Sequence, residues 1–160
     1  MTIEDMEQYG LTKMSDEEMH DFVSTQRMGV LALPADDAPY VVPMSFGYDG
    51  ASTLYFTFVG GPDSRKRTLI ERAETVRFLT YTAQSAFNWE SVLLTGTVER
   101  VPEPQWEAIR DVLETAWRPD VFEAARESEA VVVYRFTADD WAGIKHTGLP
   151  PGFDADESSA

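Results

Sequence analysis

Arg65, Lys66, Arg67, Arg72 and Arg77 are five of the 13 cations in a 160-residue chain that carries 28 acids and a formal charge of −15. Only Glu71 and Glu74 lie among them, so the segment is a basic island on a strongly acidic protein. Three of these cations follow the turn Gly60-Gly61-Pro62-Asp63-Ser64, which ends one periodic stretch and opens another. The free N–H groups and dipole of a helix start favour an anion there. Glycine lets backbone approach that anion closely, Ser64 can cap the helix or offer its hydroxyl, and Arg and Lys supply charge. Phosphate is the natural guest. Spacing alone equally fits a capped surface helix whose cations neutralise nearby acids. Asp63 sits awkwardly for an anion site and is expected to turn away or pair with Arg67.

Other chemistries find few residues. The absence of cysteine excludes disulfides, thiolate metal sites, iron–sulfur clusters and cysteine nucleophiles, and two histidines, His20 and His146, exclude a histidine-rich metal site. No metal is expected. His146 could serve as an acid–base group or phosphate contact, whereas His20 is expected to be solvent-exposed; for both, an uninvolved histidine is the commoner case. The acid pairs Glu17-Glu18, Asp36-Asp37 and Asp139-Asp140 fall in turns or caps and read as solvated surface, so no catalytic base is assigned. Trp89 and Trp141 could stack on a planar ligand but fit core or interface positions better. Pro43 within a strand pattern removes a ladder donor, which marks an edge, a bulge or a ligand-facing stretch.

The elements that must position these residues are mostly short strands. Ser15 with Glu18 has capping-box spacing and starts a helix to about Thr25, with Met19, Phe22 and Val23 on its apolar side. Met28 to Leu33 and Tyr40 to Tyr48 read as strands joined by the turn Pro34 to Pro39. Asp49-Gly50 is a hairpin signal into Thr53 to Val59. A helix over Ser64 to Ala73, strands over Thr75 to Thr82 and Ser91 to Val101, and a helix over Pro102 to Trp117 follow. A second short helix is expected after Pro119, and a last strand over Ala130 to Phe136, continued by Trp141 to Lys145. The class is therefore mainly β with peripheral helices: a six-stranded antiparallel barrel with helices at its ends. A barrel this small has little interior space, so a large ligand would lie outside it or at a subunit interface.

Length and composition set the remaining bounds. The chain fits one domain over residues 15–149, with an N-terminal extension over 1–14 and a disordered acidic tail over 150–160. No apolar run approaches the roughly 20 residues of a membrane helix, and the start is acidic, so a cytoplasmic location is expected. The negative field disfavours nucleic acid and anionic membranes as partners. Acids spread along the whole chain suit a halophilic source, where salt screens their repulsion.

The strand, turn and Ser64-Arg65-Lys66, then Leu69 and the strand Val76-Arg77-Phe78-Leu79, resemble the pyridoxamine 5'-phosphate oxidase-like family of FMN-binding split barrels. Two further stretches share the resemblance. One is Gly29 to Leu33 with Pro39-Tyr40-Val41-Val42-Pro43-Met44-Ser45-Phe46; the other is Trp89-Glu90-Ser91-Val92-Leu93-Leu94-Thr95-Gly96-Thr97-Val98. Together they span roughly residues 15 to 145. The resemblance implies a flavoprotein, a homodimer with FMN in two clefts at its interface, acting as an oxidoreductase between a reduced nicotinamide and a small organic substrate. It assigns the phosphate to Ser64, Arg65 and Lys66, and the isoalloxazine border to Pro43, Met44, Ser45 and Phe46, with the backbone N–H groups near Met44 to Phe46 available to stabilise the reduced ring. Thr57, Phe58 and Val59 would flank the ribityl chain, and Glu90 and Ser91 would add contacts from the partner chain. The C-terminus lacks the Arg- and His-bearing segment of the true oxidases, offering only Trp141, Lys145 and His146, which points to a relative with a different substrate. A non-catalytic flavin-binding or sensing protein, or the same fold holding F420 or haem, stays open.

Overall fold

The computed structural model describes residues 2–116 and 131–148. Its strands are β1 (Leu11–Lys13), β2 (Met28–Leu33), β3 (Tyr40–Ser45), β4 (Gly47–Tyr48), β5 (Thr53–Val59), β6 (Val76–Ser85), β7 (Asn88–Arg100) and β8 (Val131–His146). The α-helices are α1 (Asp16–Thr25), α2 (Arg65–Arg72) and α3 (Arg110–Ala116); short 3-10 helices cover Glu4–Tyr9 and Glu103–Ile109. All strands join one antiparallel sheet in the order β3-β2-β6-β7-β8-β5-β4, and β1 adds to β8 through pairs such as Leu11 with His146. The two edge strands, β3 and β4, are consecutive in the chain with only Phe46 between them. A sheet whose opposite edges are joined by one residue must curl round on itself.

The curl is filled by aromatic rings. Phe46, Phe56, Phe78 and Phe136 are all at most 1% exposed, and Phe78 meets Phe46 and Phe56 at ring-centre distances of 5.1 Å each. Phe56 also meets Phe136, so side chains from β5, β6, β8 and the β3–β4 junction share one interior. A second cluster, Tyr55, Val101, Trp106, Leu113, Val131 and Val133, lies on the other face of β5 and β8. Trp106 there donates its indole N–H to the Val101 carbonyl at 3.0 Å, which satisfies its one polar atom.

All six expected strands are present. The stretch Tyr40 to Tyr48 divides at Phe46, whose N–H donates to the Arg27 carbonyl, and Leu11–Lys13 supplies a further strand, which gives eight. The last strand does not pause after Phe136: β8 runs unbroken to His146, with its register against β7 shifted between Thr95 and Gly96. Gly96 is required at that irregularity, because a Cβ there would lie 2.0 Å from the Thr137 carbonyl oxygen. The helix expected over 102–117 divides into a 3-10 segment and α3, while Trp117, the helix after Pro119 and the tail after Pro150 lie outside the described residues.

The capping box at α1 is complete, with the Ser15 hydroxyl accepting from the Glu18 N–H and the Glu18 carboxylate from the Ser15 N–H. Met19, Phe22 and Val23 bury the helix on the barrel. His20 is half-buried rather than free in solvent: its Nδ1 bonds the Tyr48 hydroxyl, and its ring lies 4.3 Å from that of Trp141. Burial pushes the Tyr48 phenol up to about 12. Glu18 also pairs with Lys145, and that hydrogen bond lowers its carboxyl below the usual range.

Two costs follow from this packing. Phe78→Ala should lower stability by about 3–5 kcal/mol, and Ser15→Ala by about 1 kcal/mol, both read from urea unfolding midpoints. A Phe78→Ala loss below about 1 kcal/mol would contradict a shared aromatic interior.

Candidate functional site

The chain leaves β5 at Val59, turns through residues 60–63 and enters α2 with Ser64 as its N-cap. Gly60 has φ +146°, a left-handed conformation that side chains disfavour, and a Cβ on Gly61 would meet nothing within 4 Å. The turn is held by the Ser64 N–H donating to the Gly61 carbonyl at 3.1 Å, and the Ser64 carbonyl accepts from the Thr68 N–H at 3.0 Å. The Ser64 hydroxyl makes no capping hydrogen bond. This contrasts with Ser15, and leaves an N-cap hydroxyl and the first N–H groups of α2 without side-chain partners.

The charges at this helix start are also inverted. The first turn of α1 carries three acids, as a helix dipole favours, whereas α2 has none and begins Arg65, Lys66, Arg67. Each cation at that end opposes the dipole by about 0.3–1 kcal/mol. Arg67 is offset by Glu71 one turn on, with Nε 3.6 Å from the carboxylate, so it does not pair with Asp63. Arg77 Nε donates to the Thr95 hydroxyl at 3.3 Å. Arg65 lies 3.6 Å from Asp37 and 5.3 Å above the Tyr40 ring, but both ionic side chains are mostly exposed, and such pairs contribute little. The Asp37 carboxyl lies below its usual range chiefly through the N–H groups of Ala38 and its own residue, with Arg65 adding less. Lys66 is half-buried with Nζ 5.3 Å over the Phe58 ring. Of the expected basic island, Arg72 is exposed at the far end of α2 and Arg67 and Arg77 have side-chain partners, which leaves Arg65 and Lys66 beside a Ser64 hydroxyl that makes no capping bond among the described residues.

The Arg65–Tyr40 contact ties this turn to the start of β3. Along β3 and its end, Met44 and Phe46 face the core, while Pro43 is exposed and Ser45 half-exposed on the opposite face. Of the backbone donors expected over Met44 to Phe46, the Phe46 N–H is already given to the Arg27 carbonyl at 3.1 Å. Thr57 and Phe58 are buried on opposite faces of β5, the Thr57 Oγ1 without a partner among the described residues, and Val59 is 38% exposed next to Gly60. Glu90 and Ser91 sit half-buried on β7, separated from β3 by β2 and β6. At about 4.8 Å per strand they stand roughly 14 Å away across the sheet. One copy therefore gathers the turn, β3 and the end of β5, and sets the β7 residues apart.

Between them lies a broad apolar face. The registers pair Val30 with Pro43 and Leu79, Leu79 with Leu93, and Tyr81 with Ser91, so these residues share the outer side of β2, β3, β6 and β7. Met28, Val41 and Tyr81 are 54%, 59% and 56% exposed there. Leu79, Tyr81, Ala83, Trp89, Glu90 and Ser91 line a cleft of about 310 Å³ on that side. Sequence reasoning did not anticipate this face, although the alternation of Met28, Val30, Val41 and Pro43 carries it. At the far end of β7, His146 donates from Nδ1 to the Phe87 carbonyl at 2.7 Å, and its ring centre lies 6.3 Å from that of Trp89.

The sequence model of one family, described as pyridoxamine 5'-phosphate oxidase, matches residues 15–145. The chain belongs to this family. Solved structures agree on the fold: an FAD-binding protein from Mesorhizobium loti superposes with a TM-score of 0.65 at 21% identity, covering 86% of this chain and 99% of that one. The FAD and heme binding protein from Mycobacterium smegmatis gives 0.68 at 20%, covering 92% and 77%. The conserved hypothetical protein Rv2991 from Mycobacterium tuberculosis gives 0.68 at 24%, covering 92% and 95%. No curated protein matches the chain. Among the described residues no helix is long and apolar enough to cross a membrane.

Because the Ser64 hydroxyl caps nothing, Ser64→Ala should leave the unfolding midpoint within about 0.5 kcal/mol of wild type, in contrast to Ser15→Ala. A loss near 1 kcal/mol in chemical denaturation would mean that the hydroxyl is structural.

Proposed function

We propose that this chain is an FMN-binding oxidoreductase that works as a homodimer. The observation that carries the reading is the inverted helix start. Three cations oppose the dipole of α2 beside an N-cap hydroxyl that caps nothing, in a protein that is otherwise strongly acidic, and a bound phosphate reverses that penalty. Ser64, Arg65 and Lys66 bind the phosphate. Pro43 and Ser45 border the flavin ring by side chain, and Met44 and Phe46 only by backbone. When bound, FMN supplies the hydride or electron transfer, and the protein binds, orients and shields it. No side chain is assigned as a catalytic acid or base.

The homodimer has its own support. Exposed apolar side chains spread over β2, β3, β6 and β7 are unusual for a monomer, and a second copy laid on that face would carry its Ser91 and Glu90 towards the first copy's β3. The electron donor is a reduced nicotinamide and the acceptor a small organic molecule, as the family resemblance implies. The structural relatives that bind FAD or haem favour a second reading in which the same barrel holds one of those groups, or acts without turnover.

The purified protein should be yellow, with the absorption of oxidised flavin. Lys66→Ala should weaken FMN by about 1.5–3 kcal/mol, and Arg65→Ala with Lys66→Ala by about that much per lost contact, with the unfolding midpoint preserved. Fluorescence titration with FMN reads this directly, and an unchanged affinity in the double variant overturns the phosphate assignment. NADH or NADPH oxidation by the loaded protein separates an enzyme from a binding protein, and a haem Soret band would replace the flavin reading altogether.

A further inference from the structure

Tyr134 sits near the start of β8 with 1% of its surface exposed, yet its hydroxyl reaches out of the core. It donates to Glu71 Oε1 at 2.9 Å, reaching out of the barrel to the last turn of α2. Glu71 is also the partner of Arg67, whose side chain is only 17% exposed. The Tyr134 ring packs 4.9 Å from that of Phe58, and Phe58 carries the Lys66 ammonium 5.3 Å above it. One buried phenol therefore supports both cations that follow Arg65: Lys66 through Phe58, and Arg67 through Glu71. Desolvation and the neighbouring carboxylate both raise the Tyr134 phenol well above its ordinary range, so it stays protonated and remains a donor.

A capped surface helix has no need of such an anchor. Of the three cations in the first turn of α2, Arg67 is drawn back by Glu71, while Lys66 rests on a ring held by Tyr134 and Arg65 stays on the outside. We propose that Tyr134 and Glu71 are a positioning pair, which fixes α2 on the barrel so that Ser64 and Lys66 face a phosphate group while Arg67 is held away from it. Neither residue touches the ligand. The inference rests on the phosphate reading above and adds two residues, far apart in sequence, that decide how well the grip is formed.

The test compares FMN with riboflavin, which has the same ring and ribityl chain but no phosphate. Titrating both into wild type, Tyr134→Phe, Glu71→Ala and Glu71→Gln gives the FMN-to-riboflavin affinity ratio for each. Tyr134→Phe and Glu71→Ala should bind FMN about five- to tenfold more weakly and riboflavin within about twofold of wild type. Glu71→Gln keeps an acceptor for the phenol and should hold at least the wild-type ratio. Parallel losses for both ligands would mean a merely structural role and overturn the proposal, as would an unchanged ratio in Glu71→Ala. Glu71 is exposed at the surface, so this variant decides the matter even if Tyr134→Phe does not fold. A wild type that does not prefer FMN over riboflavin overturns the phosphate reading itself, and the positioning pair with it.

Discussion

The single residue Phe46 imposes the constraint on which the rest depends. It separates β3 from β4, the two edges of the sheet, so the chain can satisfy both neighbours only by bending the sheet into a barrel. Its ring then has nowhere to go but inwards, against Phe78, and its N–H finds the Arg27 carbonyl at the head of β2. The opening curl and the aromatic interior are therefore one event. Flat, the sheet would leave four phenylalanines in water, which is costly. The closure also brings the start of β3 beside the turn after β5, which is how Tyr40 comes to lie under Arg65.

The electrostatics of that turn are intelligible only against the whole chain. A protein with a net charge of −15 has an abundance of acids to place at helix starts, and α1 uses three. At α2 the arrangement is reversed: no acid stands in its first turn, and three cations there oppose the dipole by roughly 1–3 kcal/mol in all. Glu71 relieves one of them, at the other end of the helix where a cation would have been favoured. That arrangement is what the proposed phosphate site requires, since its partner charge would come from outside the chain.

Much of this was legible in the sequence, for reasons that are local. Met28–Leu33 and Thr53–Val59 were read at their observed limits because apolar alternation and flanking Pro, Asp-Gly and Gly-Gly punctuate them. Ser15 with Glu18 carries its own capping geometry. What was not legible depends on partners remote in sequence. Leu11–Lys13 is too short to show a period and becomes a strand only because β8 offers an edge. Thr137 to Asp140 is polar enough to resemble a loop, yet it continues β8 past the register shift at Gly96. His20 looks solvent-facing on its helix and is covered by Tyr48 and Trp141 from two separate strands. The basic island was found, but its division into free and committed cations needed Glu71, Thr95 and Tyr134 in three dimensions.

The apolar outer face lies between the two groups of candidate site residues within the single chain. The turn at Ser64 to Lys66, which follows β5, and the β3 residues Pro43 and Ser45 lie where the curled sheet brings its two ends together, whereas Ser91 and Trp89 stand on β7 beyond β2 and β6. No rearrangement of side chains can bring them together, because the strands between them are fixed by backbone pairing. In the proposed homodimer, a twofold partner laid across the same face would bring each copy's β7 to the other's β3. The apolar residues between would then form the contact, which would give the exposed Met28, Val41 and Tyr81 a physical role.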